Sequence, residues 1–107
     1  MENHFSTDCN TLYVGSRKNA VDHLETAYMN GFTPYATGCP VIIADGLKGT
    51  DEALVPVDGE YIKRSKSRTC ADGCRYSDLL THFKGHEATG FGGAIKNIGM
   101  GARFPRR

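Results

Sequence analysis

Residues 41–44, Val-Ile-Ile-Ala, form an uninterrupted apolar run, and this run constrains the fold more than any other feature of the chain. An apolar run without polar alternation is typical of a strand that is covered on both faces, as in a parallel sheet. Pro40 precedes the run, and Asp45-Gly46 ends it. We therefore predict a buried strand within residues 38–46.

An amphipathic helix precedes that strand. Between residues 17 and 30 the apolar side chains fall on one stripe, and Gly31 follows as a helix terminator. Ser16 is the expected N-cap. Residues 11–14, Thr-Leu-Tyr-Val, predict a short strand before the helix. A strand, a helix and a strand in this order predict a right-handed crossover between two parallel strands.

A β-hairpin is expected next along the chain. Asp58-Gly59 separates two short apolar-rich runs, residues 54–57 and 60–63, and Asp-Gly between such runs favours a tight turn. Pro56 confines its strand to a sheet edge, because proline has no N–H to donate.

The rest of the chain predicts less regular structure: a loop over 65–77, a third core strand over 78–81 and a short helix over 94–100. The fold class that follows is α/β, a small partly parallel sheet with a crossover helix and an edge β-hairpin. Leu, Ile, Val and Phe make up only 21 of the 107 residues. We therefore expect one domain over residues 1–107 with a thin core.

Charge and hydropathy exclude several kinds of partner. The chain has 13 Lys and Arg against 12 Asp and Glu, and this near-neutral balance excludes a general nucleic-acid binder or a polybasic membrane binder. No apolar run is long enough to cross a bilayer, and residues 1–4 do not resemble the start of a signal peptide. We expect a cytoplasmic protein without nucleic-acid or membrane partners, whose four cysteines are reduced thiols.

Polar groups and glycines are concentrated in residues 82–101. This segment contains two histidines, two lysines, a glutamate, an asparagine and six glycines. Glycines let a backbone approach a ligand closely, and a helix that starts at such a loop favours anions. We predict a pocket for a small anionic ligand, against the alternative of a glycine-rich turn needed only for packing. The candidate catalytic residues are His82 and His86, and the candidate anion- or cofactor-binding residues are Gly90, Gly92, Gly93, Lys96 and Asn97.

Known ligand motifs do not fit this segment. Phe91 stands where a phosphate-binding P-loop needs lysine, and Ile95 stands where a dinucleotide fingerprint needs its third glycine. The pairs Cys70/Cys74 and His82/His86 lie too close together in the chain for a zinc finger. We therefore assign no metal ligand.

Two further titratable residues have ordinary structural explanations. Asp45 is a possible catalytic carboxylate, and an Asx turn that ends the strand is the favoured interpretation. His23 lies on the flank of the predicted helix, where hydrogen bonding that fixes the local structure is the favoured role. Neither residue is included in the predicted site.

Three segments give the chain a family resemblance: residues 11–20, 42–47 and, above all, 82–101. In these segments the sequence resembles the domain of unknown function 362 family. The resemblance extends over roughly residues 5–64 and 78–101. Members of that family are prokaryotic proteins, usually much longer than this chain, and many carry a ferredoxin-like segment whose cysteines bind iron–sulfur clusters. The resemblance therefore implies a link to redox chemistry and an electron-transfer partner.

The chain also departs from the family pattern. It has no Cys-x2-Cys-x2-Cys-x3-Cys run, and Ala102 stands where members usually have cysteine. The resemblance thus implies [4Fe–4S] clusters only for longer members and no cofactor in this chain. Residues 67–77 lack the apolar segment expected there. We expect the chain to be an internal fragment, a partial domain that matches the central part of the family.

Three functional hypotheses follow. The first is a fragment of an iron–sulfur-linked redox protein whose block at 82–101 holds an anion. The second is a cofactor-dependent enzyme, because His86, a glycine pair and Lys96 also resemble nickel-dependent lactate racemases; in that case His86 would be the acid–base group. The third is a truncated product without function.

Overall fold

The protein is described by a computed structural model that covers residues 4–68 and 74–101. Within these residues the fold is mixed α/β, with three helices and six short strands paired into three two-stranded sheets. This agrees with the predicted α/β class. The chain divides into two compact units, Met1–Asp51 and Glu52–Arg107. Each unit is described separately.

The first unit contains the parallel crossover. Strand β1 (Ser6–Asp8) pairs in parallel with β2 (Val41–Ile43), and helix α1 (Ala20–Met29) lies between them in the chain. A four-residue helix, α2 (Pro34–Thr37), precedes β2. The predicted strand–helix–strand order and the parallel pairing are therefore confirmed.

The position of the first strand was predicted wrongly. Residues 11–14 form no strand, residues 12–14 are bends, and Val14 is 94% exposed. The strand is the polar segment Ser6–Asp8, which pairs with the buried run: Ser6 N–H donates to the Pro40 carbonyl, and Ala44 N–H donates to the Asp8 carbonyl. Pairing with β2 satisfies the backbone N–H and carbonyl groups of β1. Because β1 is polar, its own sequence does not indicate a strand.

Helix α1 also begins later than predicted. Asn19, not Ser16, is the N-cap, because its Oδ1 accepts the Val21 and Asp22 N–H groups at 3.0 Å each. The helix ends at Met29 with Asn30 as its C-cap, close to the predicted end.

The first sheet of the second unit is an antiparallel hairpin. Strand β3 (Glu52–Pro56) pairs with β4 (Arg64–Arg68), from Pro56↔Arg64 to Glu52↔Arg68. The hairpin prediction is confirmed, but its second strand was placed wrongly over 60–63. The chain folds tightly at Gly59, where a Cβ atom would lie 2.7 Å from the Ile62 carbonyl oxygen. The polar β4, predicted as loop, is held by the ladder and by a Lys66–Glu52 ion pair of 2.7 Å.

A second hairpin and a helix complete this unit. Strand β5 (Lys84–His86) pairs antiparallel with β6 (Gly90–Gly92), and helix α3 (Ala94–Gly101) follows. The helix predicted over 94–100 is confirmed. The third core strand predicted over 78–81 is wrong: these residues form no strand, and Leu80 is 95% exposed.

The covered interior is small and partly polar. Among the described non-glycine residues, those with less than a tenth of their surface exposed are His23, Cys39, Ala44 and Asp45. Three of the four lie in or next to β2, at residues 39–45, and three, His23, Cys39 and Asp45, are ionisable. Within residues 4–68 and 74–101, no helix has the length and apolar character needed to span a membrane.

Candidate functional site

A buried carboxylate lies at the carboxyl ends of the parallel strands. Asp45 follows β2 and is fully covered. Asn10 follows β1: its backbone N–H lies 3.0 and 3.1 Å from the two Asp45 oxygens, and its Nδ2 donates to Asp45 Oδ1 and to the Gly46 carbonyl at 3.0 Å each. The carboxyl edge of parallel strands is where α/β sheets usually bind ligands.

The buried His23 of α1 joins this pair. Its Nδ1 lies 3.3 Å from Asn10 Oδ1, and its side chain is 4% exposed. Because the Asn10 amide nitrogen already donates to Asp45, Asn10 Oδ1 is the acceptor, so His23 Nδ1 must carry the proton. The other ring nitrogen, Nε2, then faces Asp8 Oδ2 at 3.5 Å.

Asp8 brings the network to the surface. Its Oδ1 accepts the Cys9 N–H at 2.8 Å, whereas its Oδ2 faces both His23 Nε2 and Arg17 Nη1, the latter at 3.9 Å. The side chain of Asp8 is 65% exposed. The edge network, defined here as Asp8, Asn10, His23 and Asp45, therefore connects the buried carboxylate of Asp45 to the exposed carboxylate of Asp8.

The edge network was not predicted from the sequence. The first strand was expected over residues 11–14, and Asp45 was explained by an Asx turn. The Asp45 carboxylate bonds instead with Asn10, 35 residues away. One signal was present: His23 lies three residues after Ala20 and four before Ala27, at the edge of the apolar stripe of the helix.

The predicted glycine-rich site is in the second unit, and the structure brings part of it together. In the β5–β6 register Lys84 pairs with Gly92 and His86 with Gly90. A Cβ atom on Gly92 would lie 3.5 Å from Lys96 Cδ and 3.8 Å from His86 Cβ. The hairpin face, defined here as Lys84, His86, Gly90, Gly92 and Lys96, thus combines two lysines and a histidine with two glycines.

Backbone hydrogen bonds define which nitrogen of the neutral His86 ring carries the proton. Its Nδ1 lies 3.2 Å from both the Ala88 and Thr89 N–H groups. Nδ1 is therefore an acceptor, and in the neutral ring the proton is on Nε2. The Nε2–H of His86 is therefore a hydrogen-bond donor that the turn at residues 86–89 does not use.

The other predicted site residues lie elsewhere in this unit. His82 stacks against Phe83 with ring centroids 6.2 Å apart, and Phe83 stacks against Phe91 at 6.3 Å. Gly93 faces the Phe91 ring, and the Asn97 N–H donates to the Gly93 carbonyl at 2.9 Å in the first turn of α3. Strand alternation puts Phe91 on the opposite side from the hairpin face.

A buried free thiol lies at the start of β2. Cys39 Sγ is 3.2 Å from Ser6 Oγ and 3.8 Å from Thr37 Oγ1. Hydrogen bonding to the Ser6 hydroxyl lowers the pKa of the Cys39 thiol. This effect outweighs desolvation, which raises the pKa, and is supported by Thr37 and by the Ser6 backbone. The thiolate is thereby favoured.

We expect alkylation of Cys39 to extend to lower pH than that of an ordinary thiol, because the thiolate is the reacting form. Peptide-resolved mass spectrometry with iodoacetamide measures the pH midpoint for this residue alone. Ser6→Ala should move the midpoint to higher pH, whereas Ser65→Ala, in the other unit, should not. An unchanged midpoint in Ser6→Ala would contradict the assignment.

The geometry defines a small α/β protein with two polar sites, one at the edge of a parallel strand pair and one on a glycine-rich hairpin. Residues 2–106 match the family model described as Domain of unknown function (DUF362). The chain therefore belongs to this family, and the match extends over nearly all of it. No curated protein and no solved structure matches the chain.

Proposed function

We propose that the chain binds a small oxyanion, of the class of inorganic phosphate or a phosphate ester, on the hairpin face. The observation that carries the proposal is the packing of a lysine and a histidine side chain beside Gly92: a Cβ atom there would lie 3.5 Å from Lys96 Cδ and from the Lys84 carbonyl oxygen, and 3.8 Å from His86 Cβ. Gly90, opposite His86 in the hairpin, is exposed and has no side chain, so an anion can approach its backbone.

Electrostatics supports an anion in preference to a cation or an apolar ligand. Alternation along β5 puts Lys84 on the same face as His86. The first amides of α3 have no acceptor within the helix and carry its positive dipole end. Lys84, Lys96, the His86 Nε2–H and these amides are all donors, so they suit an acceptor with several oxygens.

The hydrogen bonds of the His86 ring favour a role in binding over a role in acid–base chemistry. With Nδ1 accepting two backbone N–H groups, the neutral ring has no lone pair left for a substrate proton. His86 therefore donates to the anion through Nε2. This supports the binding hypothesis over the alternative of a racemase-like enzyme that uses His86 as a base.

The hypothesis of an iron–sulfur-linked redox function rests on the family resemblance alone. A [4Fe–4S] cluster takes four cysteine thiolates. Within residues 4–68 and 74–101, no three His, Cys, Asp or Glu side chains are grouped to hold a metal ion. The described cysteines thus do not fit a cluster, and we limit the proposed activity of this chain to anion binding.

Titration with inorganic phosphate, followed by calorimetry and by melting temperature, tests the proposal. We expect saturable binding that raises the melting temperature. Lys96→Met should weaken binding about tenfold, because it removes the charge nearest to Gly92. His86→Asn should weaken it about threefold, since the asparagine oxygen can still accept the turn amides but the Nε2–H is lost.

Lys63→Met is the matched control, an exposed lysine of the same unit outside the hairpin face. It should leave the affinity unchanged. If phosphate does not bind, or if Lys63→Met and Lys96→Met weaken binding equally, the hairpin face is not the site.

A further inference from the structure

Strand β2 pairs along only one of its two edges in the part of the chain that the structure describes. The Pro40 carbonyl accepts a hydrogen bond from β1, and the Ala44 N–H donates one to β1. Backbone groups alternate in direction along a strand, so the N–H and carbonyl of Ile42 also face β1. Those of Val41 and Ile43 point the other way. The N–H and carbonyl groups of Val41 and Ile43 are here called the open edge of β2.

The open edge has no hydrogen-bond partner among residues 4–68 and 74–101. Strand β1 is the one strand paired with β2 there, and neither Val41 nor Ile43 forms a bond outside that pair. Both residues are half-buried. Covered backbone groups are costly to leave unpaired, and a free edge is a template for a strand of another chain. These features favour a further strand on this edge.

The side chains of β2 do not protect the open edge from pairing. Proteins commonly block free edges with charged side chains or with proline. Strand β3 ends in Pro56, and β4 carries Arg64 and Lys66. In contrast, β2 is Val-Ile-Ile, without a charge or a proline. The edge of β2 is therefore well suited to a partner strand.

We propose that the open edge pairs with the same edge of a second copy of this chain, in an antiparallel dimer with a two-fold axis at Ile42. In this register Val41 lies opposite Ile43 of the partner subunit, and the two residues exchange both N–H···O=C bonds. All N–H and carbonyl groups of both open edges are then used. The two copies share one continuous sheet, in which β2 and its counterpart are the central strands.

Complementarity favours a copy of β2 over a charged strand as the occupant. Ile42 is 39% exposed, and at the axis it meets Ile42 of the partner subunit at a non-hydrogen-bonded position, where side chains come closest. Two uncharged strands meet there without like-charge repulsion, and the net charge of +1 opposes association only weakly. Because a two-fold interface uses the same surface on both subunits, association through it stops at the dimer.

Amide hydrogen exchange of the full chain, measured by NMR over a range of concentrations and combined with sedimentation, tests the proposal. We expect a concentration-dependent dimer in which the Val41 and Ile43 amides exchange about tenfold more slowly than at high dilution, because they become hydrogen-bonded. The Ile42 amide is the internal control. It is bonded to β1 in both states, so its exchange should change less.

Ile42→Lys should weaken the dimer about tenfold, because it places two like charges opposite each other at the axis. Thr7→Lys is the matched control: Thr7 is exposed and pairs with Ile42 in the β1–β2 register, but it lies one strand away from the axis. This variant should leave the dimer intact.

The exchange measurement uses the unmodified chain, so the test does not depend on whether Ile42→Lys folds. A chain that sediments as a monomer at millimolar concentration would overturn the proposal. So would Val41 and Ile43 amides that exchange at the same rate in monomer and dimer, or equal effects of the two lysine variants on the dimer.

Discussion

Asp45→Ala is expected to destabilise the first unit by about 3 kcal/mol, because each buried donor left without an acceptor costs about 1–3 kcal/mol. The Asp45 carboxylate accepts both the backbone N–H and the Nδ2–H of Asn10. Alanine has no acceptor, and the covered site offers these donors no ready replacement. Urea unfolding followed by NMR at the Ala44 amide, which donates to the Asp8 carbonyl, reports on this unit alone.

Two comparisons separate this effect from a general loss of charge. Asp58→Ala removes an exposed carboxylate and should change stability by less than about 0.5 kcal/mol. Adding Asn10→Ala to Asp45→Ala should cost less than Asn10→Ala in the wild type, by at least about 1 kcal/mol, since the two residues act on each other. Strictly additive losses would show that the hydrogen bonds do not carry the stability.

The large share of polar groups in the interior explains why Asp45→Ala is expected to lower stability more than most single substitutions in the chain. Few apolar side chains are covered, so the first unit relies on satisfied hydrogen bonds between the loops after β1 and β2. Low apolar content predicts a thin core from the sequence. It does not predict that Asp45 and His23 are part of that core, because charged residues are seldom fully buried unless paired.

Local sequence patterns predicted the elements that interactions between neighbouring residues determine. The apolar run at 41–44 and the stripe of α1 identified the parallel crossover, and the glycines after His86 identified the start of α3. Strands β1 and β4 were missed because they are polar, Ser-Thr-Asp and Arg-Ser-Lys-Ser-Arg, and are stabilised by their partner strands. Residues 11–14 have β-forming side chains but no partner strand, and they form no strand.

The same distinction applies to the two sites. The hairpin face could be predicted in part, because Lys84, His86, Gly92 and Lys96 are close in sequence and their types indicate an anion. The edge network joins residues 13 and 35 positions apart, Asn10 with His23 and with Asp45. Its geometry depends on where β1 ends, and no local pattern in the sequence indicates that position.

Gly49→Ala is expected to destabilise the first unit by about 2–3 kcal/mol, through backbone strain of about 1–2 kcal/mol and crowding of the edge network. Gly49 has a φ of +70°, which alanine adopts only with strain. A Cβ atom there would lie 3.1 Å from Asp45 Oδ2 and 3.3 Å from Asn10 Cβ. Asp45 is buried and hydrogen-bonded, so it cannot move away without weakening its bonds to Asn10.

Gly38→Ala isolates the crowding from the strain. Gly38 has nearly the same φ, +71°, but a Cβ atom there would have no neighbour within 4 Å. Its substitution should therefore cost only the strain, about 1–2 kcal/mol, and the difference between the two variants measures the contact with Asp45 and Asn10. In Asp45→Ala that difference should shrink, because the crowded oxygen is gone. Equal losses for Gly38→Ala and Gly49→Ala would mean that the Gly46–Gly49 turn yields to the methyl group and does not hold the buried carboxylate in place.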